Sequence, residues 1–285
     1  MNYGVPWTDR GGVAHDSARA PQRRRIVSLV PSLTETLCAV GGRERLAGVT
    51  AFCIHPADIL KDPRIEKVGG TKKFSREKLL ALKPDLVLAN LEENELDDIE
   101  FLKSRVECYI NGPQTVTEGL ETLREVGSLI GAFDTGDKLA REAENVLASI
   151  RKRVQARAAA GGKPLRVFYP IWRDPWMSVA EDTFIADHLR ELGAEAVPAY
   201  RGSTRYPEIT LEEAAAAKPD VVWLPNEPYH FKEKDADEIK ALKIFAGVRV
   251  ELVDGDNVCW FGARQTEGLT YAYRQLWGRH TEPRP

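Results

Sequence analysis

Cysteine is scarce and poorly placed for its usual roles. The 285 residues contain four, Cys38, Cys53, Cys108 and Cys259. None forms a C-x-x-C pair, which excludes a zinc ribbon and a thioredoxin-type motif and argues against a disulfide framework. Excess charge is also lacking. The 40 Lys and Arg against 43 Asp and Glu leave a formal charge of −3, too weak a field to hold nucleic acid or an anionic membrane. No run approaches the roughly 18 apolar residues of a spanning helix, so the chain is not expected to insert in a membrane. G-x-G-x-x-G, G-x-x-x-x-G-K-[ST], G-x-S-x-G and H-E-x-x-H are all missing, and no nucleophile is seen with a base, so an enzyme is not expected. Cys53-Ile54-His55 brings two soft donors close together, but no third ligand follows them, and no metal site is expected.

The first 24 residues are polar and rich in Gly, Pro and Ala, and they read as a flexible tail. The arginines at 23–25 with IVSLVPSL after them imitate a signal peptide, but Glu35 and Arg43 follow closely and no small-x-small cleavage site appears. TETLCA lacks the small residue that precedes a lipid-modified cysteine. As written, the chain is expected to carry no export signal.

What the sequence does contain is alternation. IVSLV (26–30) reads as a strand, and PSLTETLCAVGG reads as a turn and a short helix closed by Gly41. LAGVT (46–50) is a second strand. In SREKLLALKPDLVLAN (75–90), Ser75 caps a helix, Pro84 stops it and LVLA is a buried strand. VECYI (106–110) and a helix over 115–132 continue the pattern, which predicts a doubly wound parallel sheet. The residues from 134 to about 160 instead form one long amphipathic helix with Leu139, Val146, Leu147, Ile150 and Val154 on one stripe and Gly161-Gly162 at its end. It lacks a Pro or a Gly pair to bend it between 137 and 160, so a rigid strut is expected. Alternation then resumes with LRVFYP (165–170), helices over 182–193 and 210–217, VVWLP (221–225), VELVD (250–254) and a terminal helix.

The second half echoes the first. Lys-Pro-Asp at 83–85 returns at 218–220, and the same spacing sets Glu77 opposite Glu212. The expected fold is therefore α/β: two Rossmann-like lobes with parallel sheets joined by one long rigid helix. The expected boundaries are a tail over 1–24, a lobe over 25–133, the bridging helix over 134–162 and a second lobe over 163–285. Such a protein binds its ligand between the lobes, at the carboxyl ends of the strands.

Aromatic residues gather where those strands end. Phe52 follows the strand 46–50, Trp172 and Trp176 follow 165–170, Tyr206 precedes the helix from Thr210, and Trp260 with Phe261 follows 250–254. Each ring alone is explained by loop packing, but together they suit a large planar, partly apolar ligand. Glu77 and Glu212 lie in the first turns of equivalent helices. The helix dipole favours a carboxylate there, and two matched acids also form a two-point dock for basic residues on a partner.

RIVSLVPSLTETLCAVG, LAGVT with His-Pro after it, KVGGT, LLALKPDLVLA, IWRDPWM, RYPEITLEEA and PDVVWLPNEPY, in that order, resemble the helical-backbone metal-receptor family. These are the class III substrate-binding proteins of ABC importers for cobalamin, haem and iron-siderophores, and the cobalamin-binding branch is the most similar. The likeness runs from about residue 25 to 277. It implies a non-catalytic receptor that holds a corrinoid such as cobalamin through Phe52, Trp172, Trp176, Tyr206 and Trp260 and delivers it to a permease docked at Glu77 and Glu212. The cobalamin or other metal chelate is then a transported ligand and not a catalytic cofactor. The protein is expected to be a monomer. Two positions depart from the enterobacterial cobalamin receptor, where aromatic rings stand in place of Thr71 and Asn90, and Trp172 and Trp176 are expected to supply the missing ring surface.

A haem or iron-siderophore receptor of the same family is the alternative, with Arg173, Arg201, Arg205 and Arg264 available to an anionic chelate. A cytoplasmic corrinoid-handling protein without a transporter is another. The resemblance implies a periplasmic or cell-surface location, whereas the chain as written fits the cytoplasm equally.

Overall fold

Short runs of Ile, Val and Leu, each leading to a helix, build two separate parallel sheets. The computed structural model describes residues 6–200, 202 and 204–278, which divide into two units. The first comprises residues 6–113, Thr117–Glu142 and Phe261–Arg264; the second comprises Gln114–Val116, Ala143–Trp260 and the residues from Gln265.

The first unit begins with a hairpin of β1 (Trp7–Thr8) and β2 (Ala14–His15). It continues with β3 (Ile26–Ser28), α1 (Pro31–Ala39), β4 (Leu46–Val49), β5 (Glu66–Lys67), α2 (Arg76–Ala81), β6 (Leu86–Asn90), α3 (Leu96–Lys103), β7 (Cys108–Asn111) and α4 (Val116–Ile130). Its main sheet has the order β5-β4-β3-β6-β7 with all pairs parallel. The helix α5 (Phe133–Ala159) runs 27 residues, about 40 Å at 1.5 Å per residue. It packs closely on α4 because Gly136 has no side chain; a Cβ there would strike the Leu123 carbonyl. Ala140, Ala143, Leu147 and Ile150 form its buried stripe.

The second unit contains β8 (Leu165–Phe168), α6 (Phe184–Glu191), β9 (Ala194–Ala196), α7 (Leu211–Ala216), β10 (Val221–Pro225), α8 (Glu233–Ala241), β11 (Arg249–Val253), α9 (Asp256–Cys259) and α10 (Gln265–Trp277). Its sheet has the order β11-β10-β8-β9, again parallel. Phe168, Val222, Leu224, Phe231 and Phe245 pack in one core cluster, and Trp223 is fully buried.

The internal repeat extends to backbone geometry. α2 and α7 each start from a hydroxyl cap, Ser75 accepting from the Lys78 N–H at 3.2 Å and Thr210 from the Glu213 N–H at 3.1 Å. Each is followed by a lysine in the left-handed region, Lys83 at φ 48° and Lys218 at φ 49°. The aspartate two residues on ties the turn to the neighbouring strand. Asp85 accepts from the Arg25 N–H at 3.0 Å, and Asp220 from the Arg166 N–H at 2.8 Å. This explains Lys-Pro-Asp: proline ends the helix, and aspartate supplies an acceptor to the start of the adjoining strand.

The N-terminal residues correct the expectation of a loose tail. From residue 6 they dock on the free edge of β7, where Gly11 N–H donates to the Ile110 carbonyl at 3.2 Å and Ile110 N–H donates to Asp9 Oδ2 at 2.7 Å. His15 is buried, 2.9 Å from Asp9 and 3.5 Å from Glu107. Trp7 lies against His15 with ring centroids 4.8 Å apart. Covering a sheet edge removes an unpaired row of backbone groups. The segment lacks periodicity because its partners come from β7, about a hundred residues away.

Candidate functional site

At the carboxyl end of the second sheet, β8 runs into a closed loop in which Ile171 N–H donates to the Met177 carbonyl at 2.9 Å and Met177 N–H to the Trp172 carbonyl at 3.1 Å. The loop presents Trp172, which is 43% exposed. The Trp172 ring meets Tyr229 edge to face at 5.4 Å, Tyr229 lies 4.6 Å from Phe231, and Phe231 stacks on Trp176 at 5.7 Å. Trp176, with Phe231 stacked on it and the Arg173 guanidinium 5.2 Å from its ring centre, is half-buried and acts as the packing base beneath this ring group. Trp172 is the exposed ring of the loop.

Tyr206 lies in the adjoining segment, because Ser178 N–H donates to the Pro207 carbonyl and Ile209 N–H to the Trp176 carbonyl, both at 2.9 Å. Trp260 follows α9 and is only 6% exposed, so it offers little open ring. Tyr229 and Phe231 escaped the sequence reading. Their signal is the rule used for the others, since NEPYHF directly follows the apolar strand VVWLP. Beside Phe231, a depression of about 440 Å³ is lined by Asn226, His230, Lys232, Leu252 and Asp254. Burial, with a smaller effect from the Asp256 charge, pushes the Glu227 carboxyl up to about 7.

In the first unit Phe52 follows β4 and is 57% exposed. Gly70 lets this ring approach, since a Cβ there would lie 3.3 Å from it. Ile54 and Leu91 are also exposed at this end of the sheet.

The arginines that an anionic chelate would need are engaged within the protein. Arg173 pairs with the buried Asp235 and with Glu238 at 3.0 Å. Arg264 grips Glu35 through two nitrogens at 3.0 and 2.5 Å. Arg205 Nε lies 3.5 Å from Asp182, and Arg201 lies outside the described residues. Glu77 and Glu212 occupy the second positions of α2 and α7, both exposed and both without an ion pair among the described residues.

The thiol of Cys53 is buried and held by Thr34, which donates at 3.1 Å, with the Thr50 hydroxyl at 3.2 Å. Burial raises its pKa, which disfavours the thiolate a metal would need. Among the described residues no group of His, Cys, Asp or Glu is placed to hold a metal ion, and no helix is long and apolar enough to cross a membrane.

Residues 26–249 match the family described as periplasmic binding protein. The chain is 29% identical over 254 residues to an uncharacterized ABC transporter substrate-binding lipoprotein of Bacillus subtilis, YvrC, covering 86% of this chain and 77% of that one. It is 25% identical over 201 residues to the vitamin B12-binding protein of Pectobacterium atrosepticum, covering 70% of each. Among solved structures it resembles the periplasmic heme-binding protein BhuT in complex with two hemes, with a TM-score of 0.74, 26% identity and coverage of 88% of this chain and 97% of that one.

Proposed function

Because the chain belongs to the periplasmic binding protein family and is thereby a non-catalytic substrate-binding protein of the ABC-importer type, we propose that its solute is a corrinoid of the cobalamin kind. One observation carries this choice. Flat rings collect at the strand ends of the second unit, while Arg173, Arg205 and Arg264 are all engaged by acids or carbonyls of the protein itself. A corrinoid presents a broad macrocycle fringed with uncharged amides, which asks for ring surface and few free cations. A haem carries carboxylates and asks for arginine or lysine. In this reading Trp172, Tyr206 and Tyr229 are the ligand residues of the second unit, supported by the half-buried Trp176 and the buried Trp260, and Phe52 is the candidate ring of the first unit.

Cyanocobalamin titrated at micromolar concentration is expected to quench tryptophan fluorescence and release heat in a calorimeter. Trp172→Ala is expected to weaken binding about 10- to 100-fold, as removal of an exposed aromatic anchor does. Silence in both measurements, together with haemin binding under the same conditions, would replace the corrinoid by haem.

Delivery follows from the matched acids. Glu77 and Glu212 dock basic residues of an ABC permease, and the protein works outside the cytoplasmic membrane. Reversing both charges, Glu77→Lys with Glu212→Lys, is expected to abolish stimulation of the permease ATPase and to leave the solute Kd within about twofold, since both residues are exposed. A drop in solute affinity instead would show that these acids belong to the ligand site.

A further inference from the structure

Three buried asparagines stand at the carboxyl end of the first sheet, and the solute reading leaves them unused. Asn90 ends β6 and Asn111 ends β7, directly opposite each other in register. Asn90 Nδ2 donates to Asn111 Oδ1 at 3.0 Å, and Asn90 Oδ1 accepts from the Glu92 and Glu93 N–H groups at 2.7 and 3.1 Å. Asn94 Oδ1 accepts from the Asn90 N–H, and Asn94 Nδ2 donates to the Thr71 carbonyl, both at 2.9 Å. The segment 90–94 is thereby tied to both β7 and the turn that follows β5.

The arrangement costs more than a plain loop would. All three side chains are at most 3% exposed, and Asn111 Nδ2 has no hydrogen-bond partner among the described residues. A buried amide is tolerated only when its groups are satisfied, and this cluster leaves one donor open. What the cost secures is a loop of one shape. That shape presents Leu91, 36% exposed and resting against Gly112, on the far side of β3 from Phe52.

We infer that Asn90 is a positioning residue for solute binding: it pre-forms the 91–94 loop so that Leu91 meets the apolar face of the ring ligand. This rests on the proposal that the strand ends bind a macrocycle, whether corrinoid or haem. A pre-formed loop spares the entropy of ordering it on binding. Asn90→Ala frees two N–H groups and the loop with them. Asn90→Asp keeps the acceptor, and a turned Asn111 amide then gives its open donor to the new carboxylate.

The test measures Kd for cyanocobalamin and for haemin in the full chain, alongside Tm. For whichever macrocycle binds, Asn90→Ala is expected to weaken binding about tenfold, and Asn90→Asp to restore it within about twofold to threefold. Leu91→Ser is expected to weaken binding by a similar factor without lowering Tm, and the double variant Asn90→Ala with Leu91→Ser to be no weaker than Leu91→Ser alone, because one residue acts through the other. An Asn90→Ala protein with lower Tm and unchanged Kd would reduce the cluster to a structural role. Multiplying losses in the double variant would show that Asn90 acts by another route. Either result overturns the positioning role and leaves the solute assignment standing, whereas a wild-type chain that binds neither macrocycle overturns both.

Discussion

Glu107→Ala is expected to destabilise the first unit by about 3–5 kcal/mol, the loss seen when one partner leaves a buried ion pair. Its carboxylate lies 2.7 Å from Arg23, which is almost wholly buried, 3.1 Å from Arg19 and 3.5 Å from His15. Removing it leaves the Arg23 guanidinium with only the carbonyls of Leu129 and Asp16 and no counter-charge. Of the six tryptophans, Trp7 alone belongs to the first unit. Its fluorescence in a variant that keeps only Trp7 reports this unfolding selectively. A loss below about 1 kcal/mol would mean that the N-terminal segment is not anchored through Glu107.

The same cluster sets a pH window. Burial alone would raise the Glu107 carboxyl, but hydrogen bonds from His15 and Arg23 and the charges of Arg23 and Arg19 hold it down at about 2, from an ordinary 4.5. Its folded pKa is depressed, so its contribution is full above about 4.5 and is lost as the pH falls toward 2. For His15, burial lowers the pKa, but Asp9 and Glu107 outweigh it and raise the value above 6.5. That contribution is full below 6.5 and is lost as the pH rises through the raised value. Glu125, which accepts from the Tyr109 hydroxyl, is pushed up to about 7 by burial, so ionising it in the folded state costs stability between about 4.5 and 7. Stability reported by Trp7 is therefore expected to peak near pH 5. His15→Gln is expected to remove the part of the decline above 6.5, and an unchanged profile in that variant would exclude His15 as its cause.

Asp235→Asn is expected to produce the largest change in ligand preference. Asp235 is buried and serves twice, as the partner of Arg173 and as the acceptor, at 2.8 Å, of the Lys232 N–H at the start of α8. Asparagine preserves that helix cap and deletes the charge. Arg173 then keeps only the exposed Glu238 and Asp174, far weaker restraints in water, and its guanidinium becomes available beside Trp176. The protein is expected to lose roughly 2–4 kcal/mol of stability in the second unit and to shift its Kd ratio toward haemin over cyanocobalamin by tenfold or more, since a freed cation rewards a carboxylate and offers little to an amide. Asp235→Ala is expected to lose more stability still. An unaltered ratio in calorimetry would show that the Arg173 pair does not set selectivity.

Much of this organisation is visible in local patterns. The runs IVS, LAGV, LVLA and VVWLP are mostly apolar on both faces, as strands covered by helices must be, and each sits inside a predicted strand, β6 extending one residue further to Asn90. Ser75, Thr210 and Pro84 mark helix ends because caps and proline act on the nearest turn. The Lys-Pro-Asp repeat placed α2 and α7, and with them Glu77 and Glu212, on a common template. Phe52, Trp172 and Tyr206 were found as candidate rings because loops at strand ends are where such folds bind ligands.

Other features have no local signature. Trp172 and Trp176 are four residues apart in one loop, yet one is exposed and the other lies under Phe231, a partner from the turn after β10. Nothing near Arg173 in the chain indicates that Asp235 neutralises it. Glu107 gathers Arg19, Arg23 and His15 onto one carboxylate from more than eighty residues away, which makes an ordered clasp of a stretch that looks like linker. Periodicity, capping and proline effects operate within a few residues and so can be read along the chain. Burial, ion pairing and the openness of a ring depend on what distant segments bring, and those were decided only when the sheets assembled.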